Sequence, residues 1–93
     1  MLNKKILKIR KDLDRIDLLL LDLLRKRTLL VDKVLQNKKF KKEIVDKKRI
    51  QKILKGIKKK SKIKKVDPIV ANKIWNSMIR AFIDYEYRNF KKK

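Results

Sequence analysis

The 93-residue chain contains no His, no Cys and a single glycine, Gly56. A histidine-based triad, a thiolate nucleophile and an ordinary zinc site are therefore excluded. So is a glycine-rich loop able to cradle phosphate or a dinucleotide. Any chemistry must come from Arg, Lys, Asp and Glu. The informative charges are those in apolar registers, because an unpaired ion among apolar side chains is costly to bury.

Three charges meet that description. Ile6, Leu13, Leu20, Arg27 and Val34 recur every seven positions, so Arg27 takes an aliphatic place in the row. Lys38 follows Arg27 by eleven residues, and on a continuous helix three turns return it to within about 20° of the same face. Glu86 extends the stripe formed by Trp75, Ile79 and Phe82. Taken singly, each has a plain structural reading. Arg27 lays its stem on the core and sends its head to water, and Lys38 and Glu86 are solvated charges. Taken together, with Arg49 nearby, they form a cation-rich polar cluster suited to a small dianion. Arg10 precedes Arg27 by seventeen residues, a rotation of about 100° that keeps it from the same pocket of the same chain. In an antiparallel dimer of the long helix, the partner's Arg10 approaches the Arg27 region and completes a composite site in each half.

The elements that must position these residues follow from periodicity. Ile9, Ile16, Leu23 and Leu30 run beside the first apolar row, which predicts one helix from about Leu2 to Asn37 without an internal Gly or Pro. Such a helix is roughly 50 Å long, more than the rest of the chain can cover, so a second copy is the simplest cover. A second helix starts near Asp46, whose carboxylate suits a cap, and carries Ile50, Ile53, Leu54 and Ile57 on one face. It is expected to fade in "KKKSKIKK", Lys58 to Lys65, a charged connector. "VDPI" restarts the helical pattern with Asp67 at the cap and Pro68 in the first turn. The third helix buries Ala71, Trp75, Met78, Ile79 and Phe82. No strand-like alternation and no long repeat appears. The expected fold class is all-α, one domain over residues 1–93 with one long and two shorter helices, assembled as an intertwined homodimer.

Size and charge agree with an assembly of copies. A chain this short buries only roughly two-thirds of the surface its unfolded form exposes. The formal charge of +21 attracts anions of every kind and selects none. Most of the 31 basic residues are Lys, with abundant Ile and Asn, a pattern as typical of compositional bias as of a binding surface. The longest purely aliphatic run, Leu18 to Leu21, is too short for a membrane span, and the N-terminus lacks the apolar core of a secretory signal. With no cysteine, a reducing compartment is the default, and a cytoplasmic protein is expected.

"IRKDLDRIDLLLLDLLRKR", then Lys38, then "DKKRIQKIL", then "DPIVANKIWNSMIRAFIDYE" resembles the all-helical chorismate mutase family from about Ile6 to Tyr87. The pattern "IRxxLDRID" followed by "LLxxR", and the spacing of Arg10, Arg27 and Lys38, carry the resemblance. It implies an intertwined helical homodimer that converts chorismate to prephenate without metal or cofactor. Arg27 and Arg49, with the partner's Arg10, match the arginines that hold the substrate carboxylates, a task suited to a permanently charged, two-pronged guanidinium. Lys38 matches the lysine that donates to the ether oxygen of the breaking bond, and Asp46 the aspartate near the substrate hydroxyl. The reaction is a pericyclic rearrangement that needs no nucleophile. The enzyme holds the folded conformer and stabilises charge on the ether oxygen.

Three positions depart from the family pattern. Ile50 stands where a glutamate helps bind the hydroxyl, Phe82 where a serine is usual, and Glu86 where a glutamine donates to the ether oxygen. Glu86 donates only when protonated. An aliphatic residue at position 50 also resembles the isochorismate pyruvate lyases of the same fold, which form salicylate and pyruvate, and aminodeoxychorismate mutases are a third enzymatic alternative. A nonenzymatic alternative is a basic helical module for nucleic acid or an anionic surface. Against it, the lysines are dispersed and the aromatics few, so neither a recognition helix nor a stacking platform stands out. Binding of nucleic acid or membrane is accordingly not expected.

Overall fold

The computed structural model describes residues 3–91 and consists, among them, of three α-helices, a single turn of 3-10 helix and no strand. The helices are α1 (Lys4–Gln36), α2 (Lys47–Ile63) and α3 (Pro68–Asn89), with the 3-10 turn at Lys41–Glu43. The chain divides into two compact units, Met1–Val31 and Asp32–Lys93. Among the described residues no helix is long and apolar enough to cross a membrane.

Helix α1 opens with Asn3, whose side-chain oxygen accepts from the Ile6 amide at 2.8 Å, the capping bond that short polar residues supply at helix starts. The predicted first residue, Leu2, lies outside the described residues. Only Leu35 is buried along the whole of α1. Leu13 and Leu20, two members of the heptad row, are 54% and 52% exposed, and Ile9, Ile16, Leu23 and Leu30 beside them are exposed as well. Long aliphatic side chains repeated every three to four residues do not stay in water without a cost of roughly 25 cal/mol per Å² of apolar surface. The row is therefore an uncovered seam.

The helix ends at Gln36, one residue before the expected end, and the Lys38 amide closes a tight turn on the Leu35 carbonyl at 3.0 Å. Lys38 thus leaves the helical path, and the rotational extrapolation from Arg27 does not reach it. What fixes Lys38 is the turn itself.

The second unit is built on α2 and α3, which pack against each other. Asp46 caps α2 as expected, its carboxylate accepting from the Arg49 amide at 3.0 Å. Asp67 caps α3, accepting from Ile69 and Val70 at 2.8 and 3.1 Å, with Pro68 in the first turn. Ala71 and Ile79 are buried, whereas Trp75, Met78 and Phe82 are half-buried on the same stripe.

The lysine run is not a connector. Helix α2 continues through it to Ile63, and Ser61 in its midst is buried, its hydroxyl donating to the Lys58 carbonyl at 2.8 Å. Lysine has good helix propensity, like-charge neighbours cost only about 0.2–0.5 kcal/mol per pair, and Lys60 and Lys62 lie in the last turn, where the helix dipole favours cations. The reversal into α3 is made at Lys65, which takes a left-handed φ of 59°. It is locked by the Val66 amide, which donates to the Ser61 carbonyl at 2.8 Å.

Candidate active site

The second unit brings two of the predicted residues together from opposite ends of its sequence. Lys38 Nζ lies 2.9 Å from Glu86 Oε1, a contact across 48 positions. The Lys38 side chain is 17% exposed and that of Glu86 10%, so the pair is largely out of water. Glu86 is therefore not the solvated rim charge of the plain reading. The pairing explains how a carboxylate tolerates the apolar stripe of α3, since a buried charge persists when paired and hydrogen-bonded. Lysine carries three N–H donors, so the bond to Glu86 leaves the ammonium with donors for a ligand.

The turn that carries Lys38 is fastened from the following segment. The Glu43 carboxylate accepts from the Lys39 and Phe40 amides at 2.6 and 2.7 Å, the reciprocal half of a capping box. These amide bonds, the Phe40 one foremost, hold the Glu43 carboxyl below its ordinary range, and the charges of Lys38 and Lys39 act in the same direction. A carboxyl depressed in the folded state adds stability above its unfolded titration and loses it as pH falls through the folded one. On acidification the Lys39 and Phe40 amide signals are expected to move together, with a midpoint below that of a free glutamate. Proton NMR checks this, and a midpoint at or above the ordinary glutamate value would contradict it.

Beside the ion pair, Tyr85 donates its hydroxyl to Asp32 Oδ1 at 2.7 Å. The Asp32 carboxylate holds the Tyr85 hydroxyl above its ordinary titration range, because it accepts the proton that ionisation would remove. A cleft of about 360 Å³ lies against these groups, lined by Asp32, Gln36, Lys38, Tyr85 and Asn89 among others. Neither Asp32 nor Tyr85 was singled out by periodicity. A signal did exist for Asp32: it is an acid near the C-terminal end of a helix, where the dipole disfavours negative charge and a donor is needed.

Of the other predicted residues in this unit, Asp46 and Arg49 are joined through the cap at the start of α2, both exposed, and Ile50 follows half-buried. Phe82 meets Tyr85 edge to face, with ring centroids 6.3 Å apart. Arg10 and Arg27 belong to the first unit, where Arg10 is exposed and Arg27 half-buried on α1. Neither Arg25 nor Lys26 shares the partial burial of Arg27. Among the described residues no group of acidic side chains is arranged to hold a metal ion.

The family model described as chorismate mutase type II matches residues 9–87, while no curated protein and no solved structure matches the chain significantly. The matched span takes in α2, all of α1 beyond its first residues and all of α3 but its last two. With most of its length matched, and with an all-helical architecture consistent with that family, the chain belongs to the chorismate mutase type II family.

Proposed function

We propose that the protein rearranges chorismate to prephenate, acting as a single catalytic domain in a homodimer whose long helices cover each other's apolar seams. The observation that carries this reading is the shielded Lys38–Glu86 pair, with its contact of 2.9 Å. It supplies a fixed cationic donor in a place where water competes weakly. In this reading Lys38 donates to the ether oxygen as the bond breaks, where preorganised donors act most strongly. Arg27 and Arg49, with the partner's Arg10, hold the two carboxylates, and Asp46 sits near the ring hydroxyl. Phe82 closes the site on the apolar side. The exposed leucines of α1 support the dimer, since such a seam calls for a partner. Incubation of the purified protein with chorismate should yield prephenate.

The half-buried Ile50 favours a second reading. An aliphatic side chain offers no acceptor to the chorismate hydroxyl, and isochorismate carries its hydroxyl elsewhere on the ring. Salicylate and pyruvate from isochorismate, with no prephenate from chorismate, would select the lyase activity. Neither product from either substrate would sink both.

In the mutase reading Glu86 is the carboxylate that holds the Lys38 ammonium in place, the two being 2.9 Å apart.

A further inference from the structure

The end of α1 is tied to α3 by two bonds at adjacent α3 positions. Lys38 reaches Glu86 at 2.9 Å, and Asp32 accepts from Tyr85 at 2.7 Å, contacts across 48 and 53 positions. One bond alone leaves a terminal turn free to pivot. Two bonds from neighbouring residues of one rigid helix, pointing in directions about 100° apart, fix it in more than one direction. The tyrosine is itself held. Its ring meets Phe82 edge to face at 6.3 Å, and the Arg88 guanidinium lies 5.8 Å from its centre. Arg88 is in turn paired with Asp84 at 2.9 Å, one helical turn back on α3. On the other side, Asp32 lies in the same α1 terminus from which the Lys38 turn springs, through the bond from Lys38 N to the Leu35 carbonyl at 3.0 Å. Asp32 and Tyr85 therefore form a strut beside the ion pair, without themselves belonging to it.

The geometry points to Tyr85 and Asp32 as positioning residues that set the Lys38 ammonium against the reacting bond. This rests on the mutase reading proposed above. The hydroxyl–carboxylate bond is of the stronger, charge-assisted kind. Its loss releases the α1 terminus to swing the Lys38 turn, and a donor misplaced by about 1 Å costs up to about a hundredfold in rate. Because the strut is built from groups other than those assigned to the substrate carboxylates and hydroxyl, its removal should lower kcat and leave KM nearly unchanged. Phe82 gains a second role as the side wall of Tyr85, which accounts for an aromatic ring where the family pattern has serine.

The test is Tyr85→Phe, which deletes one oxygen and keeps the ring contacts, beside Asp32→Leu, Asp32→Asn and the double variant Asp32→Leu/Tyr85→Phe. Turnover of chorismate is read together with the nitrogen-15 NMR signal of the Lys38 ammonium, which requires no turnover. Tyr85→Phe is expected to lower kcat about tenfold with KM within about twofold, and to shift or broaden the Lys38 signal. Asp32→Leu should match it, Asp32→Asn should recover most of the rate by keeping an acceptor oxygen, and the double variant should be no worse than either single one. Parental kcat in Tyr85→Phe would overturn the inference. So would a Lys38 signal that stays in place, or losses that multiply in the double variant. If the parent turns over neither chorismate nor isochorismate, the mutase reading fails, and the Lys38 signal alone still decides whether the strut positions the lysine.

Discussion

Arg27→Ala should reduce turnover by about a thousandfold while the helical content and the oligomeric size of the protein stay those of the parent. The two halves of that result have different causes. Removing one member of a desolvated, hydrogen-bonded charge pair costs about 2–5 kcal/mol, and each 1.36 kcal/mol is about tenfold in rate. A carboxylate held by Arg27 would lose a contact of that class. The fold should not suffer, because alanine is the best helix former and the leucines at positions 20, 23, 24 and 30 still define the seam. Arg25→Ala and Lys26→Ala, on exposed parts of the same turn, serve as controls and should remain near parental. Steady-state kinetics with circular dichroism and size-exclusion chromatography checks the set. Parental activity in Arg27→Ala would remove this residue from the site, and a collapsed helical signal would reassign it to the scaffold.

Lys38→Ala is expected to damage both rate and stability. Loss of a donor aimed at developing charge costs about 10²–10³ in kcat. The same substitution strands Glu86, whose residue is only 7% exposed, and breaking a buried pair by removing one partner costs about 3–5 kcal/mol. Addition of Glu86→Gln separates the two losses. A neutral amide needs no counter-ion, so Lys38→Ala/Glu86→Gln should regain most of the stability and little of the turnover. Thermal unfolding and kinetics on Lys38→Ala, Glu86→Gln and the double variant test this. A double variant as unstable as Lys38→Ala would show that the lysine stem, rather than the charge balance, supports α3.

How far the sequence announced this arrangement depends on the kind of signal. Caps at Asp46 and Asp67 and the break at Pro68 are local, and each sits where its residue type predicts. Heptad spacing is likewise a property of one helix, and α1 runs unbroken through the whole row from Ile6 to Val34. The Lys38–Glu86 contact spans 48 positions. Periodicity on each element marked both residues as anomalous, yet nothing in either pattern states that they meet. Lys38 reaches Glu86 through a turn, where helical arithmetic fails. The continuation of α2 through Lys58 to Ile63 was obscured because charge repulsion is conspicuous in a sequence. Helix propensity and the burial of Ser61, which outweigh it, are not. Tyr85 was invisible for a third reason: it is an ordinary polar residue until the α1 terminus and α3 are brought side by side, and the placement of Asp32 at a helix C-terminus calls for a donor without naming which one.

Lys65 is one of 24 lysines, and its neighbours in the run are interchangeable as far as charge goes. Its own tolerance to mutation follows a different rule. At a φ of 59° the backbone admits glycine freely and asparagine with ease, whereas a β-branched side chain is a steric misfit. Compositional drift among lysine, asparagine and isoleucine therefore meets a filter at this single position: asparagine passes and isoleucine does not. The bend between α2 and α3 stays open to substitution by some residues and closed to others, whatever their charge.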